Sequence, residues 1–126
     1  MDRIDLQVWV QPVTPDALAT DTQSECSESV RKRVNQARTA QRNRFRGHHF
    51  SCNAELQGDA IRLMSDPSSD AITTLREIMQ RFSLSGRSWA RILKVSRTIA
   101  DLDGSKQVHS RHIVESSSFR LDPKSA

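Results

Sequence analysis

The chain has no tyrosine, two tryptophans and four phenylalanines in 126 residues, so aromatic side chains contribute little to its core. Its hydrophobic content of 36% is enough for one domain with a modest core, which we expect to be helical. A domain of this size and composition offers little room for a deep cleft. We therefore expect no large catalytic pocket.

Cysteine is also scarce, and Cys26 and Cys52 stand alone in the sequence. They match neither a disulfide framework nor a paired metal-binding motif, which suits a reducing cytosol. No apolar run approaches the length needed to cross a bilayer, and the N-terminus lacks a charged segment followed by an apolar one. We therefore expect a soluble, cytoplasmic protein that does not associate with a membrane.

Glycine occurs four times, and no two glycines are close together. A phosphate-binding loop of the form G-x-x-x-x-G-K-[ST] is absent, so no loop in this chain can cradle a triphosphate with its backbone N–H groups. The chain alone should not hydrolyse ATP. Two histidine pairs, His48 with His49 and His109 with His112, lack a cysteine or acidic pair at ligand spacing, so we expect no metal site.

Acidic residues are missing between Glu28 and Glu55, whereas residues 31–46 hold seven of the nineteen lysines and arginines. Removing those seven positive charges from the formal net charge of +4 leaves the remainder of the chain at −3. The basic character therefore belongs to one segment. It predicts a partner that carries phosphate or acidic side chains, although a solvated charged face is the plainer alternative.

This basic segment is expected to be a helix that buries little. Ser27 or Ser29 can cap its start, and Gly47 can provide a left-handed exit. The helical period puts only a narrow stripe of small or apolar residues on one side and spreads the basic ones around the rest. The candidate nucleic-acid contacts are Arg31, Lys32, Arg38, Arg42, Arg44 and Arg46.

Residues 3–10 alternate apolar and polar side chains, which predicts a β-strand with one buried face. No other segment of the sequence has a comparable strand pattern, and a strand needs a neighbour to pair with. We therefore expect the chain to be a C-terminal piece of a longer protein, with Met1 as an expression start. The missing part would supply the rest of the sheet.

The remaining sequence predicts helices joined by short connections, whose apolar stripes are wide enough to pack on one another. Trp89 lies on one such stripe, so we expect it in the core rather than on a base. The fold class is thus mainly α, with a long basic helix and one N-terminal β-strand. Beyond the basic helix, helices are expected over residues 58–64, 67–82, 85–104 and 110–119.

Several short strings, in the same order, resemble the C-terminal domain of the magnesium-chelatase-related AAA+ ATPases of the ComM/YifB type. They span nearly the whole chain. The strings are DRIDL at 2–6, VRxRV at 30–34 (x being any residue), AR at 37–38, NAEL at 53–56, LSGR at 84–87, RILKV at 91–95, RTIADL at 97–102 and HIVE at 112–115.

The resemblance implies the helical lid of an AAA+ protein that binds ATP and Mg²⁺ through a preceding core and assembles as a ring, expected to be a hexamer. It implies action on DNA in branch migration or natural transformation. On this basis the chain divides into a strand and linker at 1–26, a basic helix and loop at 27–56, the lid bundle at 57–120 and a disordered tail at 121–126.

The resemblance also implies roles for two arginines. Arg3 matches the arginine finger, which reaches the nucleotide of a neighbouring subunit and stabilises charge on the transferred phosphoryl group. Arg87 matches the sensor-2 arginine, which extends from the lid to the γ-phosphate in the same subunit. Without the resemblance, both would be ordinary exposed arginines.

An alternative interpretation is a stand-alone DNA-binding module of helix-turn-helix type. Residues 89–97 would then form the recognition helix and present Arg91, Lys94 and Arg97 to DNA. The extensive apolar stripe on that helix argues against this. A protein-interaction domain without a nucleotide role is a third possibility.

Overall fold

The structure is a computed structural model that describes residues 4–19 and 24–121 and contains six α-helices there. The mainly α-helical bundle predicted from the sequence is confirmed, as are the five helices expected from residue 27 onwards. None of the described helices combines the length and apolar character needed to cross a membrane. The helices are α1 (Pro15–Ala19), α2 (Ser27–Arg44), α3 (Asp59–Ser65), α4 (Ser69–Arg81), α5 (Gly86–Leu102) and α6 (Ser110–Ser118), with a 3-10 helix at Asn53–Glu55.

The β-strand predicted over residues 3–10 is not formed in residues 4–10, the part of it that the structure describes. No second strand lies beside this segment in the described chain, and a ladder cannot form without a paired edge. The segment instead touches the bundle, where the Gln7 N–H donates to the Phe119 carbonyl at 2.7 Å. The alternating side chains stay largely exposed, including Val8 and Val10.

Helix α5 is the centre of the bundle and packs against α2, α3, α6 and the 3-10 helix. Its Ile92, Leu93 and Ala100 are fully buried, together with residues from the neighbouring helices. Small polar side chains allow α6 to lie close to α5, because the Ser116 hydroxyl donates to the Ile92 carbonyl at 3.0 Å. The other fully buried core residues are Ala71 and Leu75 of α4, Val108, and Ile113 of α6.

A tight connection sets where α5 begins. Ser83 adopts a left-handed conformation with φ of 49°, and the Leu84 N–H donates back to the Met79 carbonyl at 3.0 Å. Ser85 is the N-cap of α5, and its side chain accepts a hydrogen bond from the Ser88 N–H at 3.4 Å. The helix expected over residues 85–104 therefore has its N-cap at the predicted first residue.

Helix α2 differs from expectation at its start and agrees at its end. Cys26 is the N-cap, so the predicted caps Ser27 and Ser29 are wrong and lie inside the helix. The Cys26 sulfur is 3.2 Å from the Ser29 hydroxyl, and hydrogen bonds to Ser29 lower the pKa of this exposed thiol. Gly47 has the left-handed φ of 85° expected beyond the helix.

Only the second half of α2 docks on the bundle. Ala37 and Gln41 are buried, as is Phe45 just beyond the helix, whereas Val30 and Val34 on the same stripe are 40% and 44% exposed. The first half of the basic helix therefore projects with most of its circumference accessible. This arrangement leaves its positive charges exposed.

A buried carboxylate fastens α2 to α5. Asp101 accepts hydrogen bonds from Arg44, which pairs with it through both terminal nitrogens, from Arg97 Nε at 3.1 Å, and from Asn53 Nδ2 at 2.9 Å. Arg97 is itself buried and also donates to the carbonyls of Ser65, Ser105 and Lys106. Burial lowers the pKa of the Arg97 guanidinium, and the charge of Asp101 opposes that shift.

Candidate phosphate-binding surfaces

Arg87 is the second residue of α5 and is exposed at the start of the central helix. Within residues 4–19 and 24–121 its guanidinium makes no hydrogen bond or ion pair. The first turn of α5 contains no acidic residue, and the N-terminal end of a helix carries partial positive charge. Arg87 is therefore an unneutralised cation that an anion could approach together with the helix end.

Two further arginines surround Arg87, and each is engaged. Arg91 lies one turn further along the same face of α5 and forms an ion pair with Asp5. Arg120 donates to the Ile4 carbonyl at 3.0 Å and to the Ser88 hydroxyl at 3.3 Å. Arg87 thus differs from its neighbours in having its guanidinium available.

Five of the six predicted nucleic-acid contacts are exposed, and they fall into two groups. Arg31, Lys32 and Arg38 are exposed and make no hydrogen bond or ion pair with the described chain. Two others bond only polar side chains one turn away and remain exposed: Arg42 donates to Thr39 at 3.1 Å and Arg46 to Asn43 at 3.4 Å. These five side chains leave the surface of α2, and of the turn that follows it, positively charged.

Arg44 is placed differently from the other five predicted nucleic-acid contacts. Its side chain is 19% exposed and pairs with the buried Asp101. Its Nη1 also donates to the Asn53 side chain at 3.1 Å. The guanidinium of Arg44 therefore joins α2 to α5 and is not available to a nucleic acid.

Helical spacing brings three of these exposed arginines onto one face. Arg31, Arg38 and Arg42 are separated by seven and four residues, so they share a row that extends about 16 Å along α2. We refer to these three residues as the basic row. A row of this length can contact successive phosphates of a nucleic-acid strand or several carboxylates of a protein.

The recognition-helix alternative is contradicted by the position of α5. Arg97, which that interpretation presented to DNA, is only 1% exposed and is bonded to Asp101 and three carbonyls. Arg91 is paired with Asp5, and Lys94 donates to the Ala54 carbonyl at 3.4 Å. All three side chains are thus engaged within the bundle and are not available to read bases in a groove.

The histidine pair at the start of α6 has a structural role. His112 is buried, and its Nδ1 accepts from the His109 N–H at 2.9 Å, which caps the helix. The opposite ring nitrogen lies 3.1 Å from the Asp103 carboxylate, which also accepts from Arg111 at 2.8 Å. The hydrogen bond from Arg111, followed by that from His112, lowers the pKa of Asp103.

Among the described residues no group of three or more His, Cys, Asp or Glu could hold a metal ion.

Arg3, the predicted arginine finger, lies outside the described residues, as do residues 20–23 of the predicted linker and residues 122–126 of the predicted tail. The structure therefore places Arg87 and the basic row but not Arg3. The basic row and Arg87 belong to different helices, α2 and α5, which are joined through Asp101.

Residues 24–120 match the family described as magnesium chelatase, subunit ChlI C-terminal. This match covers most of the chain and the whole of the bundle from α2 to the end of α6. The chain belongs to the magnesium chelatase ChlI C-terminal family. The family resemblance predicted from the short strings is thereby confirmed.

Curated relatives of this ChlI C-terminal chain match it over nearly its full length. An uncharacterized protein of Mycobacterium tuberculosis is 36% identical over 120 residues, which are 95% of this chain and 24% of the relative. The uncharacterized protein YifB of Escherichia coli and the competence protein ComM of Haemophilus influenzae are each 34% identical over 122 residues, 95% of this chain and 23% of the relative. The chain thus spans about a quarter of the length of these relatives.

Sequence reasoning about this ChlI C-terminal chain missed the contacts of the N-terminal segment. Asp5 and Arg91 are 86 positions apart, and Ile4 and Arg120 are 116 apart, so no local pattern indicates that they meet. The Arg97 and Asp101 pair did carry a signal, because opposite charges four residues apart share a helix face.

Proposed function

We propose that this chain is the C-terminal lid of an AAA+ ATPase and that Arg87 is its sensor-2 arginine. The observation that carries the proposal is the unpaired, exposed guanidinium of Arg87 at the start of the central helix, with no acidic residue in that turn. Family membership supports a parent protein in which an AAA+ core precedes the lid and the subunits assemble into a ring. ATP and Mg²⁺, held mainly by that core, would supply the phosphoryl group and its charge.

The role of each arginine follows from its chemistry. A guanidinium stays charged at all physiological pH values and can donate two parallel hydrogen bonds to phosphate oxygens. Arg87 would contact the γ-phosphate of its own subunit, so that attraction to phosphate closes the lid and loss of the γ-phosphate releases it. Arg3 would reach the nucleotide of the neighbouring subunit. Arg87 fits its role because its exposed side chain has no competing partner within the described chain.

Replacing Arg87 with Ala in the full-length protein tests this assignment. We expect ATP turnover to fall by at least about tenfold, because one charge-assisted contact to the transition state is lost. The ATPase rate and nucleotide affinity are measured with the purified ring. Arg76→Ala is the matched control, since Arg76 is an exposed arginine of α4 and is not at a helix start.

Unchanged turnover and affinity in Arg87→Ala would remove the sensor assignment. Arg87→Lys adds a second comparison, because lysine keeps the charge but lacks the planar fork. We expect the lysine variant to keep partial ATPase activity, because its charge still attracts the γ-phosphate but it lacks the guanidinium fork that orients the phosphate.

We further propose that the basic row of α2 contacts DNA. The competence protein ComM of Haemophilus influenzae is a relative, and the resemblance to proteins of the ComM/YifB type implies action on DNA. Arg31 and Arg38 are exposed without a partner, and the projecting half of α2 leaves room for a phosphate backbone. An acidic surface of a neighbouring subunit is the other candidate for this row.

Salt dependence separates these two partners. Changing Arg31, Arg38 and Arg42 together to Gln should reduce the slope of log affinity for DNA against log salt by about 2 to 3, because each lost phosphate contact releases about one counterion fewer. Binding is measured on the full-length ring by fluorescence anisotropy across a salt series. A control triple variant carries Gln at Arg62, Arg76 and Arg81, which are exposed on α3 and α4.

An unchanged slope in the basic-row variant would reject the DNA contact. If ring assembly weakens in that variant while the slope is unchanged, the row instead binds a neighbouring subunit. The control variant should keep both the slope and the assembly state of the unaltered protein.

A further inference from the structure

The loop that follows α2 carries three aromatic side chains in mutual contact, which we call the aromatic cluster: Phe45, Phe50 and His49. Phe45 is buried just beyond the helix, and the side chain of Phe50 meets it edge to face with centroids 6.0 Å apart. The imidazole of His49 lies against Phe50 at 4.2 Å, with an angle of 40° between the two planes. The cluster thus extends from the core to the surface, where His49 is exposed.

Hydrogen bonds at both ends hold this loop in place. At the α2 end, the His48 N–H donates to the Phe45 carbonyl at 2.8 Å. At the other end, the Asn53 N–H donates to the side chain of Gln41 at 3.0 Å, and both of these residues are buried. A loop that is already fixed loses little conformational freedom when it binds a ligand.

His49 differs from the adjacent His48 in what lies beneath its side chain. Both side chains are exposed, and neither makes a hydrogen bond or ion pair with residues 4–19 or 24–121. His49 rests on Phe50, whereas His48 has no ring contact with those residues. The imidazole of His49 is therefore supported on one face and open on the other.

Positive charge lies beside the aromatic cluster. Arg46 is three residues before His49, so their Cα atoms are within about 11 Å of each other. The Arg46 side chain donates to Asn43 at 3.4 Å, which keeps it beside the last turn of α2, where Arg42 is also exposed. The loop itself contains no acidic residue that would repel a phosphate.

An open aromatic face beside cationic side chains suits a single-stranded nucleic acid. In a duplex each base is stacked between its neighbours, and only the base edges face the grooves. A single strand exposes the faces of its bases, on which aromatic side chains stack while basic side chains follow the phosphates. The aromatic cluster and the exposed arginines of α2 supply these two kinds of contact.

We propose that His49 is a base-stacking residue and that the DNA held along α2 is single-stranded. This inference rests on the DNA contact proposed for the basic row, and it adds the kind of strand that is bound. The basic row holds the phosphates, and a base lies on the open face of His49. Phe50 supports the imidazole from the other side, and the buried Phe45 supports Phe50.

Three DNA ligands test this proposal on the full-length protein: an oligothymidine, an abasic strand of equal length, and a duplex. His49→Ala should weaken the binding of oligothymidine about tenfold, which is within the range for losing one stack between a base and an aromatic side chain. Affinity for the other two ligands should change less than about twofold, because neither offers an unstacked base. Fluorescence anisotropy measures all three affinities.

The salt series separates stacking from charge. In His49→Ala the slope of log affinity for oligothymidine against log salt should stay unchanged, because no phosphate contact is lost. His49→Phe should keep most of the affinity, since a phenyl group stacks on a base without any charge. His48→Ala is the matched control and should bind all three ligands as the unaltered protein does.

The outcomes separate this inference from the DNA contact on which it rests. A reduced salt slope in the basic-row variant, together with unchanged oligothymidine affinity in His49→Ala, would overturn the stacking role alone. Equal losses of affinity for all three ligands in His49→Ala would also overturn it, because a distorted loop weakens phosphate contacts whether or not bases are present. If both variants bind every ligand like the unaltered protein, the DNA contact itself fails.

Discussion

Replacing Asp101 with Ala is expected to lower the free energy of unfolding by about 3 to 5 kcal/mol, which is the usual cost of removing one partner of a buried ion pair. The carboxylate neutralises two guanidiniums at once, those of Arg44 and Arg97. Arg97 has the same 1% side-chain exposure as Asp101 and cannot turn to water without opening the bundle. Because small domains have only about 5 to 15 kcal/mol in total, the variant should be close to unfolded.

Urea denaturation followed by circular dichroism measures this loss. The variant Asp101→Asn distinguishes the loss of the negative charge from the loss of side-chain volume. Its amide fills the same space as the carboxylate but does not neutralise Arg44 and Arg97. Glu25→Ala provides the comparison with an exposed pair and should cost less than about 1 kcal/mol. Equal losses in Asp101→Ala and Glu25→Ala would mean that the two guanidiniums are hydrated rather than paired.

Helix positions were predictable because they depend on local pattern. The apolar stripe of α5, including Ile92 and Leu93, repeats at the helical period, and Gly104, whose φ of 71° is left-handed, follows the end of the helix. The cap at Ser85 is also a local signal. Such features are determined within a few residues, so the sequence alone identified them.

Which arginines are paired and which are exposed without a partner could not be predicted from local pattern. Arg44 and Arg38 are both basic residues of α2, yet one pairs with a buried carboxylate and the other is free. The difference depends on which side of α2 faces α5, and that is decided by packing among residues far apart in sequence. For the same reason the strand pattern of residues 4–10 could not reveal that this segment contacts Arg91 and Arg120.

Replacing Arg3 with Ala in the full-length protein is expected to lower kcat by about 10³-fold, which is the lower end of the effect of losing an arginine finger. The guanidinium would stabilise charge that develops only during phosphoryl transfer, so ATP affinity should change little. The ATPase rate under saturating ATP and the affinity of a fluorescent nucleotide are measured side by side. Arg3→Lys should remain impaired, because it lacks the two parallel donors.

Mixing two impaired variants, Arg3→Ala and Arg87→Ala, tests whether Arg3 acts in the neighbouring subunit. Consider a nucleotide bound by an Arg3→Ala subunit whose neighbour is an Arg87→Ala subunit. The first subunit supplies an intact Arg87 and the second supplies an intact Arg3, so this site has both arginines. Random co-assembly of equal amounts should therefore restore on the order of a quarter of the sites in a closed ring. Neither variant alone can do this.

Activity that rises on mixing would thus assign Arg3 to the adjacent subunit's nucleotide and Arg87 to its own. If Arg3 instead acted in its own subunit, every site in the mixture would lack one arginine and no activity would return. The double variant Arg3→Ala with Arg87→Ala, mixed with unaltered protein, gives the matched control: the intact subunits are active only beside one another, so dilution should lower the rate per intact subunit. This combination distinguishes an arginine that crosses a subunit interface from one that merely stabilises its own fold.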